Sequence, residues 1–483
     1  MTRLEFDALD YRADQRFVPA RYRFEGSATE GWRIHRDGVL ALELGPGYRL
    51  LRTQSCGVCS TDLARQFLPF PLPQVIGHEV IATDETGQRF VVEINASHAA
   101  RGVASACPFC NAGLHTHCPE RIVLGIHDLP GGFGPYLLAP IHACVPIPAS
   151  IPDSAAVLVE PFAAALHAVA TIAPRDGERI AVLGPRRLGM LVVAALAGVR
   201  AQHRRRGEDF SIAALARDPA LLELARGFGA TEAHAIDDDA GALPDASFDV
   251  VIDTTGNPGA LPTALRLARR EVHLKSTHGR ESCGLRHLTE LVVDELAIEA
   301  LPKHAPAPGS LHWETDMTGR RLRVAWLPQT APPRWLTGFA DLRMGDAASL
   351  AADFGQDRDG LPRADVAVVD CAAQIDAVIR PRVGREEALI RPRGSVLVHP
   401  SAEPCGSALL IAVMTRGLRL SSSRCGDFRA ALALLEGDAE LRRIGERLVT
   451  HRFGAERLAE AFAVAKSRAC IKAVVTHSDL AAR

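Results

Sequence analysis

The sequence of 483 residues lacks any apolar stretch of the roughly 18 residues that a membrane-spanning helix needs, which argues against a membrane protein. It also lacks an excess of charge of either sign, because 55 basic and 57 acidic side chains leave a formal net charge of −2. Such a balance is not typical of proteins that bind nucleic acid or a membrane surface. The N-terminal stretch "MTRLEFDALDYRADQRF" has no apolar core and does not resemble a signal peptide. We therefore expect a cytoplasmic protein.

Eleven cysteines are present, several of them at short spacings. In a cytoplasmic chain, clustered cysteines indicate metal ligands before disulfides. The chain is too long for one ordinary hydrophobic core, so we expect two or three domains.

The pattern of apolar residues and turn residues changes along the chain. Up to about residue 150, short strand-like runs are broken by Gly and Pro, which favours a β-rich domain. Residues 153–172 are rich in alanine and predict a helix that begins at Asp153 as its N-cap, despite Pro161. From residue 179 onwards, apolar runs such as "RIAVLG" and "FDVVIDTTG" alternate with helical segments. This alternation predicts a doubly wound α/β domain with a parallel sheet.

A weak internal repeat follows. The segment 248–276 is echoed by 364–401, and both read as strand, helix, strand. The runs "LRVAWLP" and "ADLRMG" between them predict two further strands. Residues 303–417 are therefore predicted to form a degenerate second half of the sheet, which extends the nucleotide side as an oligomer contact or a lid. Its first turn, "LPQTAPPRW", has no glycine for a phosphate, so we expect no cofactor there.

Three short motifs, "CGVCSTD", "IGHEV" and "VEPF", suit a catalytic zinc ion. Such an ion takes three protein ligands of the Cys, His or carboxylate type and keeps one position open. Cys59, His78 and Glu160 supply one of each, and Asp62 and Glu79 are placed to orient them. Taken singly, each residue has an ordinary structural explanation, but the three motifs together favour a metal site.

These motifs, with "GGFGPYLLAP", "EPFAAALHA", "LKST", "VVDE" and "SSRCGDF", follow one another in a familiar order. Over residues 40–302 and 418–477 the chain resembles the zinc-dependent medium-chain alcohol dehydrogenases, near their threonine and polyol dehydrogenase branch. The resemblance implies a β-rich GroES-like catalytic domain and a doubly wound Rossmann nucleotide domain. It also implies that Cys59, His78 and Glu160 bind the catalytic zinc. Thr61 would pass the alcohol proton outward, and Asp62 and Glu79 would support the ligands.

A second metal site is implied by "ASACPFCNAGLHTHCPE". Cys107, Cys110 and Cys118 reproduce the last three cysteines of the family's structural zinc lobe, but Ala104 stands where the first would be. Three thiolates do not close a tetrahedral structural site. Either a histidine supplies the fourth ligand, or the lobe is metal-free and held by packing. The candidate histidines are His98, His115 and His117.

The turn in "IAVLGPRRLGML" has the frame of a dinucleotide site. Gly184 suits the tight turn and Gly189 the close packing of helix on strand, but Arg186 stands where glycine normally lets the backbone approach the pyrophosphate. Its guanidinium either points at the phosphates or points to solvent, in which case the site has decayed. The cofactor contacts predicted in this turn are Gly184, Arg186, Arg187, Leu188 and Gly189.

The cofactor is predicted to be NADP in preference to NAD. An acid at the end of the second strand would hold the ribose hydroxyl of NAD, but Ala216 falls there, followed by Arg217. The alternative is that Arg217 only pairs with Asp218. Lys275 and Arg424 are further predicted cofactor contacts, with strand capping or pairing with an acid as their alternative roles.

The sequence thus predicts an α/β protein in three parts. Residues 1–152 and 418–483 form a catalytic zinc domain, 153–302 a dinucleotide-binding domain, and 303–417 an inserted α/β segment. We expect an oxidoreductase that transfers a hydride between an alcohol or polyol, or the matching carbonyl compound, and NADP, in a cleft between domains. The resemblance suggests a homodimer or homotetramer.

Two alternatives remain. One is a dehydrogenase relative that keeps the zinc and the fold but uses no nicotinamide cofactor, as Arg186 and Ala104 suggest. The other is a non-catalytic binding or assembly protein whose inserted segment is the working surface.

Overall fold

The computed structural model describes residues 1–237, 243–276, 279–304, 321–338, 340–356, 361–380 and 388–477. The chain forms two compact units, Met1–Ala164 with Cys425–Arg483, and Ala165–Arg424. These limits differ from the predicted boundaries at 152/153 and 417/418, and residues 303–417 fall within the second unit. Among the described residues, no helix has the length and apolar character needed to cross a membrane.

The chain from residue 1 to the first unit boundary contains eleven strands and the start of a fifth helix. The strands are β1 Thr2–Tyr11, β2 Phe17–Ser27, β3 Gly31–Arg36, β4 Val39–Leu44, β5 Tyr48–Gly57, β6 Glu79–Thr83, β7 Arg89–Val92, β8 Asn95–Ala96, β9 Ile122–Val123, β10 Tyr136–Pro140 and β11 Cys144–Pro146. The helices are α1 Ser60–Leu63, α2 His98–Arg101, α3 Pro108–Asn111, α4 Asp153–Ala156 and α5 Val159–Ile172.

The described part of the second unit after α5 alternates strands with helices. The strands are β12 Arg179–Leu183, β13 Ser211–Ala216, β14 Glu232–Ala235, β15 Phe248–Asp253, β16 Ala268–Leu274, β17 Ala297–Ala300, β18 Leu322–Trp326, β19 Ala340–Met344, β20 Ala364–Cys371, β21 Ile390–Glu403 and β22 Arg419–Ser422. The helices are α6 Arg187–Arg204, α7 Pro219–Gly227, α8 Ala260–Leu267, α9 Leu288–Val293, α10 Arg334–Thr337, α11 Ala347–Gly355, α12 Ala372–Ile379 and α13 Ala408–Arg416.

The C-terminal return completes the first unit. It contains α14 Phe428–Gly437, α15 Ala439–Arg442, α16 Ile444–Leu448, β23 Val449–Gly454, α17 Leu458–Ala465 and β24 Lys472–Thr476. The first unit has an antiparallel meander, β1-β2-β3-β4, and a seven-stranded sheet in the order β11-β7-β6-β5-β24-β23, with β10 also paired to β5. The predicted β-rich character of this part is confirmed, and β24 brings the C-terminal return beside β5.

The helix predicted over 153–172 is divided into α4 and α5. Pro161 lies in the first turn of α5, where the amide that proline lacks would have no helical partner. The prediction that Asp153 is the N-cap is wrong, because Pro152 takes that position. The Asp153 carboxylate is instead engaged by Gln54 Nε2 at 2.8 Å and by Arg89.

The second unit is built on one eleven-stranded sheet in the order β14-β13-β12-β15-β16-β22-β17-β21-β20-β18-β19. The strands β12, β15 and β20 are almost wholly buried, as expected of parallel strands covered on both faces. The two strands predicted from "LRVAWLP" and "ADLRMG" are confirmed as β18 and β19. The inserted segment therefore continues the nucleotide-side sheet.

Candidate active and metal sites

The first site is organised by one carboxylate, that of Asp62 in α1. Its Oδ2 accepts a hydrogen bond from the backbone amide of Cys59 at 2.8 Å, and its Oδ1 lies 3.2 Å from His78 Nδ1. Asp62 and His78 are both buried. The Asp62 side chain thus binds the Cys59 backbone and faces Nδ1 of the His78 ring, which leaves His78 Nε2 as the nitrogen that can bind a metal.

Glycines set the backbone in front of His78. Gly77 has φ +100°, and a Cβ there would lie 2.7 Å from the Phe133 ring and 2.9 Å from Cys56 Sγ. A Cβ at Gly125 or Gly131 would lie 2.2 or 2.3 Å from the carbonyl oxygen of Gly77. Only hydrogen fits at these points, so the "GGFG" segment and the "IGHEV" turn are packed backbone against backbone.

Behind the site, Glu79 forms a buried ion pair with Lys472 of β24. Gly57 of β5 is the partner of Glu79 in the antiparallel register, and a Cβ on Gly57 would lie 2.1 Å from Glu79 Oε2. Lys472 was not predicted from the sequence. The available signal was a single lysine in the apolar run "CIKAVVT", because a charge in a buried strand needs a partner.

Burial and charge act in opposite directions on the two cationic groups of this site. Burial opposes a charge on His78, but the carboxylate of Asp62, followed by Cys59, raises the pKa of His78 well above its ordinary value. Burial likewise opposes the charge on Lys472, while Glu79 and Cys59 raise its pKa. A metal ion at His78 Nε2 would displace the proton there, since metal ligands bind in their deprotonated form.

Thr61 and Glu160 are less closely defined. Cys59 Sγ lies 3.7 Å from Thr61 Oγ1. Glu160 is half-buried in the first turn of α5. Among the residues that the structure describes, Cys59, His78 and Glu160 are not a group whose ligand atoms all lie within 4.8 Å of one another. The assignment of Glu160 as third ligand stays a prediction.

The residues that do form such a group are His98, Cys107, Cys110 and Cys118. His98 Nδ1 lies 3.4 Å from Cys118 Sγ and 3.8 Å from Cys110 Sγ, and the sulfurs of Cys107 and Cys118 are 3.8 Å apart. Of the three candidate histidines, the structure brings His98 to the cysteines, and neither His115 nor His117 belongs to the group.

This group has the donor set of a closed structural zinc site, three thiolates and one imidazole. Burial, with repulsion from Cys110, raises the pKa of Cys118 to about 12, so the Cys118 thiolate needs a cation beside it. His98 Nε2 lies 3.2 Å from a carboxylate oxygen of Glu120, which is the kind of contact that orients a metal-binding imidazole. The chemistry of the four donors fits zinc.

In the second unit, Gly184 and Gly189 form the turn between β12 and α6. Gly184 has φ +77°, and a Cβ there would lie 2.5 Å from Thr255 Cγ2. A Cβ on Gly189 would lie 2.6 Å from Thr254 Oγ1 and 2.8 Å from the Gly184 carbonyl oxygen. The two glycines therefore have the roles expected of them, the tight turn and the close approach of helix to strand.

Arg186, Arg187 and Leu188 are half-buried at the start of α6, a helix of 18 residues. Arg186 is the N-cap residue, and its backbone amide donates to the Gly184 carbonyl at 2.7 Å. The N-terminal turn of such a helix favours an anion. Whether these side chains contact a dinucleotide stays a prediction.

The end of β13 is as predicted, with Ala216 as its last residue and Arg217 exposed just beyond. Asp218 Oδ1 accepts the amide of Ala220 at 2.9 Å and so caps α7. The last residue of β13 is therefore an alanine, where an acid would hold a ribose hydroxyl. This arrangement is compatible with a 2′-phosphate, and the preference for NADP stays a prediction.

Lys275 and Arg424 tie the end of β16 to the residues after β22. Lys275 Nζ donates to the Ser423 carbonyl and Ser423 Oγ, both at 3.0 Å, and to the Arg424 carbonyl at 2.7 Å. The Arg424 amide donates to Glu295 Oε1 at 2.8 Å. The three protons of the Lys275 ammonium thus have protein acceptors, which favours its alternative role as a strand cap over contact with a nicotinamide.

Comparison with known proteins places these features in a family. The family described as "Alcohol dehydrogenase GroES-like domain" matches residues 45–149. The L-galactonate-5-dehydrogenase of Escherichia coli K12 is 30% identical over 253 residues, which are 47% of this chain and 67% of that protein. The L-threonine 3-dehydrogenase of Mesorhizobium japonicum is 27% identical over 294 residues, 51% of this chain and 81% of that protein.

The chain belongs to the zinc-dependent medium-chain alcohol dehydrogenases. The predicted threonine and polyol dehydrogenase branch is confirmed by the sorbitol dehydrogenase of Bacillus subtilis, 27% identical over 46% of this chain and 65% of that protein, together with the two relatives above.

Solved structures agree with this medium-chain dehydrogenase in fold. One, described as a short chain alcohol dehydrogenase from Escherichia coli CFT073 complexed with NADH, has a TM-score of 0.57 at 16% identity and covers 98% of this chain and 99% of its own. A proposed zinc-binding dehydrogenase from Sinorhizobium meliloti 1021 bound to NADP has a TM-score of 0.52 at 17% identity, covering 99% of this chain and 100% of its own. The predicted α/β fold, with a GroES-like part and a nucleotide part, is confirmed.

Proposed function

We propose that the protein is a zinc-dependent oxidoreductase that transfers a hydride between an alcohol or polyol and NADP. The observation that carries this proposal is the Asp62 carboxylate, which holds both the Cys59 backbone and the His78 ring. A buried carboxylate that faces the ring of a metal-binding histidine orients the ring and increases the basicity of its other nitrogen, and here the same carboxylate also binds the backbone of the candidate thiolate ligand.

In this proposal Cys59, His78 and Glu160 would hold the catalytic zinc. When bound, the ion would lower the pKa of a coordinated alcohol, as it lowers that of bound water to about 7. Asp62 keeps His78 Nε2 directed at the metal position, while Glu79 and Lys472 neutralise each other behind it. The Thr61 hydroxyl, near Cys59 Sγ, is the group that would accept the alcohol proton and pass it outward.

The turn from Gly184 to Gly189 and the start of α6 would bind the dinucleotide. The helix N-terminus attracts a pyrophosphate, and the Arg186 guanidinium would add a charged contact where the family usually presents a bare backbone. Arg217 beyond β13, with no acid at Ala216, favours NADP over NAD.

We further propose that His98, Cys107, Cys110 and Cys118 hold a structural zinc ion. Their ligand atoms lie within 4.8 Å of one another, and the lobe has no other fourth donor at this distance among the described residues. All eleven cysteines are free thiols, as in proteins of a reducing compartment, which agrees with the proposed cytoplasmic location.

A second candidate function is a zinc-binding relative that no longer uses a nicotinamide cofactor. Arg186 in the phosphate turn and the engagement of Lys275 by three protein acceptors favour it. Both candidate functions include the metal sites, so a measurement of nicotinamide nucleotide binding distinguishes them.

The experiment is a panel of polyols and 3-hydroxy amino acids, assayed by NADP reduction at 340 nm for the wild type, C59S and C405S. Cys405 is exposed and lies in the second unit, which makes it a matched control. We expect turnover by the wild type and C405S with at least one polyol, and loss of at least 100-fold in C59S. Zinc binding without any NADPH affinity would favour the second function.

A further inference from the structure

The eleven-stranded sheet of the second unit consists of two similar halves. The first half has the order β14-β13-β12-β15-β16-β22, and the second half, read inward from the opposite edge, has the order β19-β18-β20-β21-β17. Except for β14, each strand of the first half has a counterpart in the second. All neighbours within each half are parallel, whereas β17 and β22, which meet in the middle, are antiparallel. The halves are therefore related like the two subunits of a symmetric dimer.

Equivalent side-chain contacts occur in both halves. In the first, Asp249 of β15 accepts the backbone amide of Arg179 at 2.9 Å and the Arg269 guanidinium at 2.7 Å. In the second, Asp365 of β20 accepts the amide of Arg323 at 2.9 Å and the guanidinium of Arg391 at 2.7 Å. An aspartate between two arginines, at the same place on corresponding strands and with the same two oxygens, indicates a true duplication.

The last strand of each half does not come from the chain segment that directly follows that half. β16 leads through α9 to β17, but β17 pairs with β21 of the second half. β21 leads through α13 to β22, but β22 pairs with β16 of the first half. Each half is completed by the strand that follows the other half.

Contacts of polar side chains, all buried except the half-buried Arg419, explain why β16 pairs with β22. Arg419 Nη1 donates to Glu271 Oε1 at 2.8 Å, and His273 lies 2.8 Å from Ser421 Oγ and 2.9 Å from Ser423 Oγ. These contacts join residues of β16 to residues that face them from β22 or follow it.

If β17 stood in the place of β22, these contacts with β16 would be lost. Ile298 of β17 pairs with Val396 of β21. Leu420 of β22 pairs with Val272 of β16 in the same way, so Ile298 and Leu420 occupy equivalent positions. In the place of β22, β17 would therefore put Ala297 opposite Glu271 and Glu299 opposite His273. Glu271 would keep Arg270 but lose Arg419, which in the structure lies between the carboxylates of Glu271 and Glu299. Losing a charged partner of a buried carboxylate is unfavourable.

We infer that the second half is a built-in partner, which covers the β22 edge of the nucleotide-binding half from within the same chain. An uncovered β22 would present unpaired backbone groups, and such an edge pairs readily with another chain. The antiparallel contact of Ile298 with Leu420 fills that position. The protein is thus the single-chain equivalent of a dimer, and this edge recruits no second copy.

The test uses the full-length chain carrying I298C and L420C. Directly opposed residues of antiparallel strands have Cα atoms about 4.5–5.5 Å apart, within the range of a disulfide. After oxidation in dilute solution, we expect a bridge between positions 298 and 420 in a species of monomer mass. The single variants I298C and L420C, with the same eleven native cysteines, should not give this linked peptide. A covalent dimer joined through 298 and 420 would overturn the inference, because the strands would then be exchanged between chains.

Ile298 and Leu420 are fully buried, so the double variant could fail to fold. Light scattering on the unmodified protein needs no substitution. A mass of 51.8 kDa supports the inference, and a dimer whose formation protects the amides of β22 from hydrogen exchange overturns it. Neither measurement uses a cofactor or a substrate, so the result does not depend on the proposed reaction.

Discussion

At the scale of single residues, Asp62 has the largest influence on the candidate active site. Its two oxygens reach two different parts of the chain, the backbone of Cys59 and the ring of His78. Removing its charge should loosen both candidate ligands while leaving the ligands themselves in place.

We expect D62N to bind zinc at the Cys59 site 10- to 100-fold more weakly, the usual cost of losing a carboxylate that orients a ligand. Chelator competition measures the affinity. D14N is the control, since Asp14 pairs only with Arg16 at the surface among the contacts of the described residues. Equal zinc affinity of D62N and D14N would show that Asp62 does not orient the ligands.

Asp253, at the end of β15, gives a pH dependence. Burial raises the pKa of Asp253 to about 6, although Thr255 donates two hydrogen bonds to it. The folded protein therefore binds this proton more tightly than the unfolded chain does. The resulting stabilisation is complete below the unfolded pKa of about 4 and is lost as the pH rises through 6, a total of about 3 kcal/mol.

In D253N this dependence should disappear. We expect the stability of the wild type relative to D253N to fall by about 1–2 kcal/mol between pH 5 and pH 7.5. Urea unfolding at both pH values measures the difference. A constant difference would mean that Asp253 ionises in the folded protein as it does in the unfolded chain.

Residue types and short spacings were enough to predict Cys59, His78, Asp62 and the glycines of the nucleotide turn. They did not identify Lys472, because its partner Glu79 is almost 400 positions away in sequence and only the pairing of β24 with β5 brings them together. They left the fourth ligand of the lobe open among three histidines. The choice of His98 depends on how α2 folds back onto the cysteines.

At the scale of elements, the lobe formed by α2, α3 and the turn to Cys118 depends on that histidine. We expect H98A to lose one zinc ion per chain, while H115A keeps it, because His115 lies outside the ligand group. Metal analysis by plasma mass spectrometry gives the count. Full zinc content in H98A would remove His98 from the ligand set.

The two arginine–aspartate contacts of the sheet offer a matched pair of substitutions. The Asp365 side chain is 0% exposed and its arginine 3%, whereas Asp249 is 18% exposed and Arg269 61%. We expect D365N to cost about 3–5 kcal/mol of unfolding free energy, and D249N about 1–2 kcal/mol. Denaturant unfolding measures both. A larger loss in D249N would contradict the argument from burial.

The strand pattern of the second half was predictable because its strands are apolar and regularly spaced. The exchange of β17 and β22 was not, because "AIEA" and "RLSS" are both short strands that follow a helix. The choice between them depends on Glu271 meeting Arg419 across 148 positions of sequence, which no local pattern records.

At the scale of the whole molecule, the chain joins a GroES-like unit with two candidate zinc sites to a nucleotide unit. The sheet of the nucleotide unit consists of two similar halves. Only the first half has glycines in the turn after its first strand, at Gly184 and Gly189. One dinucleotide per chain is therefore expected, although the sheet has two halves.

Native mass spectrometry of the full chain tests this account most directly, because it counts metal, nucleotide and subunits together. We predict a species of 51.8 kDa carrying two zinc ions, which gains the mass of one NADPH and binds NADH more weakly. A chain without zinc at the Cys59 site, or one whose mass NADPH does not change, would contradict the proposed hydride transfer.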